Sequence, residues 1–145
     1  MNLSESDIEE SILIYLDSIP NTIVRKIAPS GYLIKDRRGT RMIQHKSPFT
    51  RRKMLDIFFL YRGLYFELEV KTEKEFIYIN KHWNKLKKEY LTSKGKRKHY
   101  AQQIFTIENI NRCGGISMFV YSVEQVKNLI KSVRRINARG NLKKV

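Results

Sequence analysis

Four side chains between residues 56 and 71 have the types and spacing to gather around a cation. The stretch Met54 to Thr72 reads MLDIFFLYRGLYFELEVKT. Both arms are rich in β-branched and aromatic residues, and Arg62-Gly63 sits between them, so the spacing predicts a β-hairpin. With those two residues as the loop, Tyr61 faces Leu64 and Asp56 faces Glu69. Side chains alternate between faces along a strand, so Phe66, Leu68 and Val70 go one way. Asp56, Glu69 and Lys71 go the other, with Glu67 beside them. Two carboxylates opposite one another across a ladder lie roughly 5 Å apart at Cβ and repel. A cation between them relieves that repulsion. Lys71 is one such cation, and Mg²⁺, which takes one or two carboxylates plus waters and phosphate oxygens, is another. The bland alternative is a solvated strand face that happens to be acidic.

The rest of the chain says what such a centre would act on. The 145 residues hold 29 Lys and Arg against 14 Asp and Glu, a net charge of +15. Residues 1–24 contain five acids and no Lys or Arg, which leaves nine acids against all 29 bases in the remainder, a local net of +20. An excess of this size points to a polyanion, and nucleic acid is the usual one. The length suits one domain with one core. The single Cys excludes a disulfide framework and a Cys-based zinc site. No apolar run approaches the ~18 residues of a membrane span, and the acidic N-terminal stretch does not read as a signal peptide. The expectation is a soluble intracellular protein.

In chain order, Ser4 caps an amphipathic helix over residues 4–18, whose apolar stripe is Ile8, Ile12, Tyr15, Leu16 and Ile19. Strands are expected over 21–28 and 31–35, joined at Pro29-Ser30-Gly31, then a polar turn at Asp36–Gly39 and a further short strand over 40–44. Residues 45–53 form a basic loop that includes Arg51, Arg52 and Lys53, with His45 as a candidate ligand. After the hairpin, residues 76–91 read as one helix with Ile79, Trp83, Leu86 and Tyr90 inward. A basic loop follows over 92–100 with Lys94, Lys96, Arg97 and Lys98. A helix over 101–112 ends at Gly114-Gly115, a buried strand spans 116–121, and a last helix spans 123–135. A basic tail, 136–145, is expected to be partly disordered.

Asp56 followed by Glu69-Val70-Lys71 on the next strand resembles the core of the PD-(D/E)xK nuclease superfamily. Within it the chain is most similar to VRR-NUC domains and archaeal-type Holliday junction resolvases. The resemblance spans roughly Glu9 to Val133. It implies an α/β (α+β) restriction-endonuclease-like fold, with a mixed central sheet flanked by helices. The single domain is 1–135, with a basic insertion at about 72–100. The resemblance also implies Mg²⁺ or Mn²⁺ held by Asp56, Glu69 and the Val70 carbonyl, with Lys71 as the catalytic cation. It places a metal-binding Glu in the first helix, at Glu9, where Glu5 and Glu10 compete. It places an orienting Gln at Gln103, eleven residues before Gly114, with Gln102 adjacent. Leu55 departs from the signature, standing where the family has Pro. The 31 residues between Lys71 and Gln103 are longer than the usual connection.

The function this resemblance implies, with the basic charge beside it, is metal-dependent cleavage of DNA, selective for branched or junction substrates and carried out by a homodimer. A homing or restriction-like endonuclease is the alternative of the same fold, and RNA remains open as substrate. A non-catalytic basic nucleic-acid-binding protein is the alternative of another class.

Overall fold

The computed structural model describes residues 3–26, 32–43 and 54–141. Helix α1 (Glu5–Asp17) leads into strand β1 (Thr22–Lys26). A separate hairpin follows, β2 (Tyr32–Asp36) and β3 (Gly39–Ile43), then β4 (Ile57–Tyr61) and β5 (Leu64–Val70). Helices α2 (Glu73–Lys81), α3 (Trp83–Lys88) and α4 (Gly95–Arg112) cross over to strand β6 (Ile116–Val120), and α5 (Val123–Asn141) closes the order. The main sheet has the order β1-β4-β5-β6. Its first two pairings are antiparallel and β5–β6 is parallel. The architecture is therefore mixed α/β, with a mixed four-stranded sheet flanked by helices.

From Ile57 to Tyr61 the central hairpin has the expected register, but the ladder stops short of the expected Asp56–Glu69 pair. Ile57 pairs with Leu68 and Tyr61 with Leu64, and both loop residues have positive φ, 50° at Arg62 and 75° at Gly63. Two positive φ values in a two-residue connection are the type I′ geometry, whose twist matches that of the flanking strands.

Each sheet face has its own core. On one face Ile8, Ile12 and Leu16 of α1 and Val126, Ile130 and Val133 of α5 pack over Phe59, Phe66, Leu68 and Val70. Phe59 and Phe66 stack at 4.3 Å between ring centroids. On the other face Leu55, Ile79, Leu86, Tyr100, Ile104, Ile107 and Phe119 form a second cluster. Trp83 meets Phe119 edge-on at 5.9 Å and packs against this second core, so its role is structural.

Several expected boundaries change, each for a local reason. The single helix over 76–91 is two helices that meet at His82, whose φ of −111° interrupts the α geometry. It also starts earlier, because the Thr72 hydroxyl accepts from the Glu75 N–H and caps Glu73 onward. The expected basic loop over 92–100 ends at Lys94. Gly95, at φ +59°, opens α4 and makes Lys96 to Tyr100 helical. Lysines at a helix N-terminus oppose the helix dipole, and here Lys96 is paired with Glu75 and Arg97 with Glu89. The expected flexible tail from 136 is helical to Asn141, since no strong breaker precedes Gly140. The turn at 29–31, His45, Arg51, Arg52, Lys53 and residues 142–145 lie outside the described residues. Among the described residues no helix is long and apolar enough to cross a membrane.

Candidate active site

The acidic face of β5 is not a solvated face. Glu67, Glu69 and Lys71 are 3%, 4% and 5% exposed, covered by α4. Alternation puts all three on the face opposite Phe66, Leu68 and Val70. Among the described residues every buried ionisable group other than tyrosine is on this one face of β5. Burying charge is costly unless the charge is paired and hydrogen-bonded. The pairing is local: Lys71 Nζ lies 2.8 Å from Glu69 Oε1. The Gln103 amide of α4 donates to the same oxygen, and Gln103 is itself 1% exposed.

Asp56 immediately precedes β4, where the ladder opens. Its Oδ2 accepts the Val70 N–H at 2.9 Å, a donor that would otherwise face an empty place beyond Ile57. The N–H and C=O of one strand residue point to the same side, so the Val70 carbonyl is directed toward the Asp56 edge. Leu55, at the departure from the family signature, is 1% exposed in the second core and so anchors the segment that presents Asp56.

The two α1 acids that share a helical face go to different cations. Glu5 reaches Lys71 at 3.8 Å. Glu9 pairs with Lys26 at the end of β1, at 2.5 Å. Lys26 in turn feels Asp56; its pKa is raised by the Glu9 hydrogen bond first, then by the Glu9 and Asp56 charges. Glu10 is exposed.

Glu5 also meets Glu75 of α2, and the two carboxyls share a hydrogen bond. Burial, then that bond, raises the Glu5 pKa against the pull of Lys71. For Glu75, burial acts upward, but hydrogen bonds from Lys96, Tyr100, Glu5 and Thr72 outweigh it and hold the carboxyl well below the usual range. The two carboxyls are thus shifted in opposite directions, Glu5 upward and Glu75 downward. Tyr100 Oη donates to Glu75 Oε1 at 2.6 Å, and burial first, then this bond, pushes the phenol up to about 12.

Gln103 is tied from a second side. His99, one turn earlier on α4, has Nε2 3.0 Å from the Gln103 amide nitrogen. The Gln103 Oε1 atom is buried without a partner, an acceptor inside the cluster. Gln102, its neighbour in sequence, is only half-buried. Glu67 accepts from Tyr65 Oη at 2.6 Å, and burial followed by this bond raises the Tyr65 pKa. Glu67 borders a separate cavity of about 390 Å³ between β5 and α4.

The structure thus brings Lys71, Glu69 and Gln103 together, sets Asp56 on the Val70 backbone, and puts Glu5 beside Lys71. Glu9 is engaged by Lys26. Of the basic candidates that are described, Lys96 and Arg97 are ion-paired, and Lys94 and Lys98 are exposed. Sequence reasoning missed Thr72, Glu75, His99 and Tyr100. Two signals were present: Thr72-x-x-Glu75 is a capping-box pattern, and His99 stands one helical turn from Gln103.

Oxygen donors dominate the donor set. Two carboxylates and one main-chain carbonyl suit Mg²⁺ or Mn²⁺, which keep waters and take phosphate oxygens. Among the described residues no three His, Cys, Asp or Glu side chains are grouped to hold a metal by themselves. The unpartnered Gln103 Oε1 fits a centre completed by water, because a buried acceptor without a donor is costly. No protein-family model, curated protein or solved structure matches the chain.

Proposed function

We propose that this protein is a metal-dependent nuclease of restriction-endonuclease-like fold that hydrolyses phosphodiester bonds in DNA. The observation that carries the reading is the buried Glu69–Lys71–Gln103 cluster with Asp56 at the edge of the same strand pair. A protein of net charge +15 has no structural need to bury two glutamates and a lysine on one strand face, where apolar residues of similar size often serve stability as well or better.

Asp56, Glu69 and the Val70 carbonyl are the groups that would hold Mg²⁺ or Mn²⁺. Such an ion lowers the pKa of bound water and neutralises charge on phosphate oxygens. Lys71 directs its ammonium at the same place and stabilises the negative charge that builds on the phosphate as it is attacked. Gln103, braced by His99, fixes the orientation of Glu69. Glu5, 3.8 Å from Lys71, is the α1 acid nearest the lysine, while Glu9 holds Lys26 at the Asp56 side. The products would carry 5′-phosphates. Exposed Lys94 and Lys98, with Arg51, Arg52 and Lys53, supply backbone contacts that carry no sequence information. That pattern favours structure-selective cutting of branched or junction DNA over base-specific cutting. A junction enzyme needs two active sites, which makes a homodimer the working assembly.

The test is cleavage of labelled linear, nicked, forked and four-way DNA with Mg²⁺, Mn²⁺ or EDTA, by wild type and Lys71→Ala. Cutting that needs metal, prefers forked or four-way DNA and is lost in the variant supports the reading. A fixed cut sequence on linear duplex favours the homing or restriction-like alternative. A non-catalytic nucleic-acid-binding protein is the second reading, and the mutual neutralisation of Glu69 and Lys71 is the observation on its side. Tight binding with no cutting of DNA or RNA under any of these conditions would establish it.

A further inference from the structure

A cavity of about 530 Å³ opens between the N-terminal parts of α2 and α4. Thr72 and Glu75 form the side toward the candidate active site, and Lys74, Tyr78, Lys96, Arg97 and Tyr100 form the remainder. Its chemistry differs from that of the active site. Tyr78, His82 and Tyr100 make a row of rings, with centroids 4.6 Å apart for Tyr78–His82 and 6.2 Å for Tyr78–Tyr100. Tyr100 is 4% exposed and fixed by its bond to Glu75, whereas Tyr78 is 36% exposed. Lys96 Nζ lies over the Tyr100 ring at 5.8 Å. Among the described residues Lys74 carries no ion pair, and it is exposed on the same rim.

An exposed ring held by two others, with ammonium groups at the rim, is the arrangement that stacks a nucleobase and takes its phosphate. A base inside a duplex is not available to such a ring. We propose that this cavity binds an unpaired nucleotide of the substrate strand next to the phosphate that is cut, its base on Tyr78 and its phosphate at Lys74, the lysine of the rim that carries no ion pair among the described residues. The inference rests on the nuclease reading and specifies its substrate: a strand that leaves the duplex at the cut site. Thr72 follows Lys71 directly in the chain, and Glu75 on the cavity wall is hydrogen-bonded to Glu5, which lies 3.8 Å from Lys71, so the cavity adjoins the candidate active site.

The experiment reads binding in EDTA, so that cleavage is not required. Fluorescence anisotropy would compare a blunt DNA duplex with the same duplex carrying a five-nucleotide single-stranded extension, for wild type, Tyr78→Ala and Tyr78→Trp. Wild type is expected to prefer the extended duplex by about tenfold, a typical magnitude for one stacked base. Tyr78→Ala is expected to lose that preference while holding blunt duplex as before, and Tyr78→Trp to keep it. Unchanged blunt-duplex affinity also shows that the variant is folded. Equal wild-type affinity for the two substrates, or a preference that survives in Tyr78→Ala, overturns the inference and leaves the nuclease reading standing. Failure of wild type to bind any DNA overturns both.

Discussion

Replacing Lys71 by Met gives the most demanding test of the buried cluster. Lys71 and Glu69 are each about 5% exposed and 2.8 Å apart. Methionine keeps most of the stem but leaves the Glu69 carboxylate with the Gln103 amide and no buried cation. Removing one partner of a buried ion pair costs about 3–5 kcal/mol, chiefly through the uncompensated charge left behind. At the lower figure the midpoint falls by roughly 6–12 °C, at about 2–4 °C per kcal/mol for a domain of this size. Glu69→Gln should cost less, because Glu5 lies 3.8 Å from the lysine and remains as a partner. Combining the two removes both charges, and the double variant should recover about 2–3 kcal/mol relative to additivity. Urea denaturation of the four proteins measures each term. A loss below about 1 kcal/mol in Lys71→Met, with additive behaviour in the double variant, would mean that the pair behaves like a surface salt bridge. The buried-cluster argument would then fail.

Other consequences follow from particular contacts. Glu75, held below the ordinary glutamate value of 4.5, contributes stability that is present in full above pH 4.5 and lost as pH falls toward its depressed folded value. Glu5 is shifted upward, so its contribution is present below 4.5 and lost as pH rises through its folded value. Thermal melts should therefore show Glu75→Gln losing more stability at pH 7 than at pH 3, and Glu5→Gln gaining at pH 7 relative to pH 3; the reverse order would refute these opposite shifts. Arg62, with φ of 50°, occupies a position that suits Asn in a type I′ turn, so Arg62→Asn should stabilise the fold by about 0.5 kcal/mol in urea titrations. Gln103→Leu removes a hydrogen bond to a charged group, worth about 1.5–3 kcal/mol. It should lower the cleavage rate at least tenfold while the far-ultraviolet circular dichroism stays that of wild type.

The central hairpin was legible because two local signals agreed. Arg62-Gly63 supplied the turn, and alternation along both arms set the register, but the expected Asp56–Glu69 pair lies outside the ladder, which ends at Ile57–Leu68 and leaves Asp56 to accept the Val70 N–H. The capped first helix was legible for the same kind of reason, with Ser4 and the apolar stripe in phase. What the sequence hid depends on contacts between distant elements. The Lys96 and Arg97 run reads as loop until Glu75 and Glu89 are known to face it. The break at His82 is invisible to a periodicity that continues from Ile79 to Leu86. Glu5 and Glu9 stand one turn apart on one helix face, so spacing could not separate them. Only the docking of α1 across the end of β5 sends Glu5 to Lys71 and Glu9 to Lys26. His99 and Tyr100 escaped notice because their partners, Gln103 and Glu75, become neighbours only when α4 is extended back to Gly95 and packed beside α2.

The most direct measurement is single-turnover cleavage of a forked DNA with Mn²⁺, by wild type and Asp56→Asn. Asparagine can still accept the Val70 N–H through its side-chain oxygen, so the variant should melt within a few degrees of wild type while losing the carboxylate charge. The account predicts metal-dependent cutting by wild type and a rate at least a hundredfold lower in the variant, with DNA binding retained. Equal rates in the two proteins, or cutting that persists in EDTA, would contradict the assignment of Asp56 and its neighbours to the site.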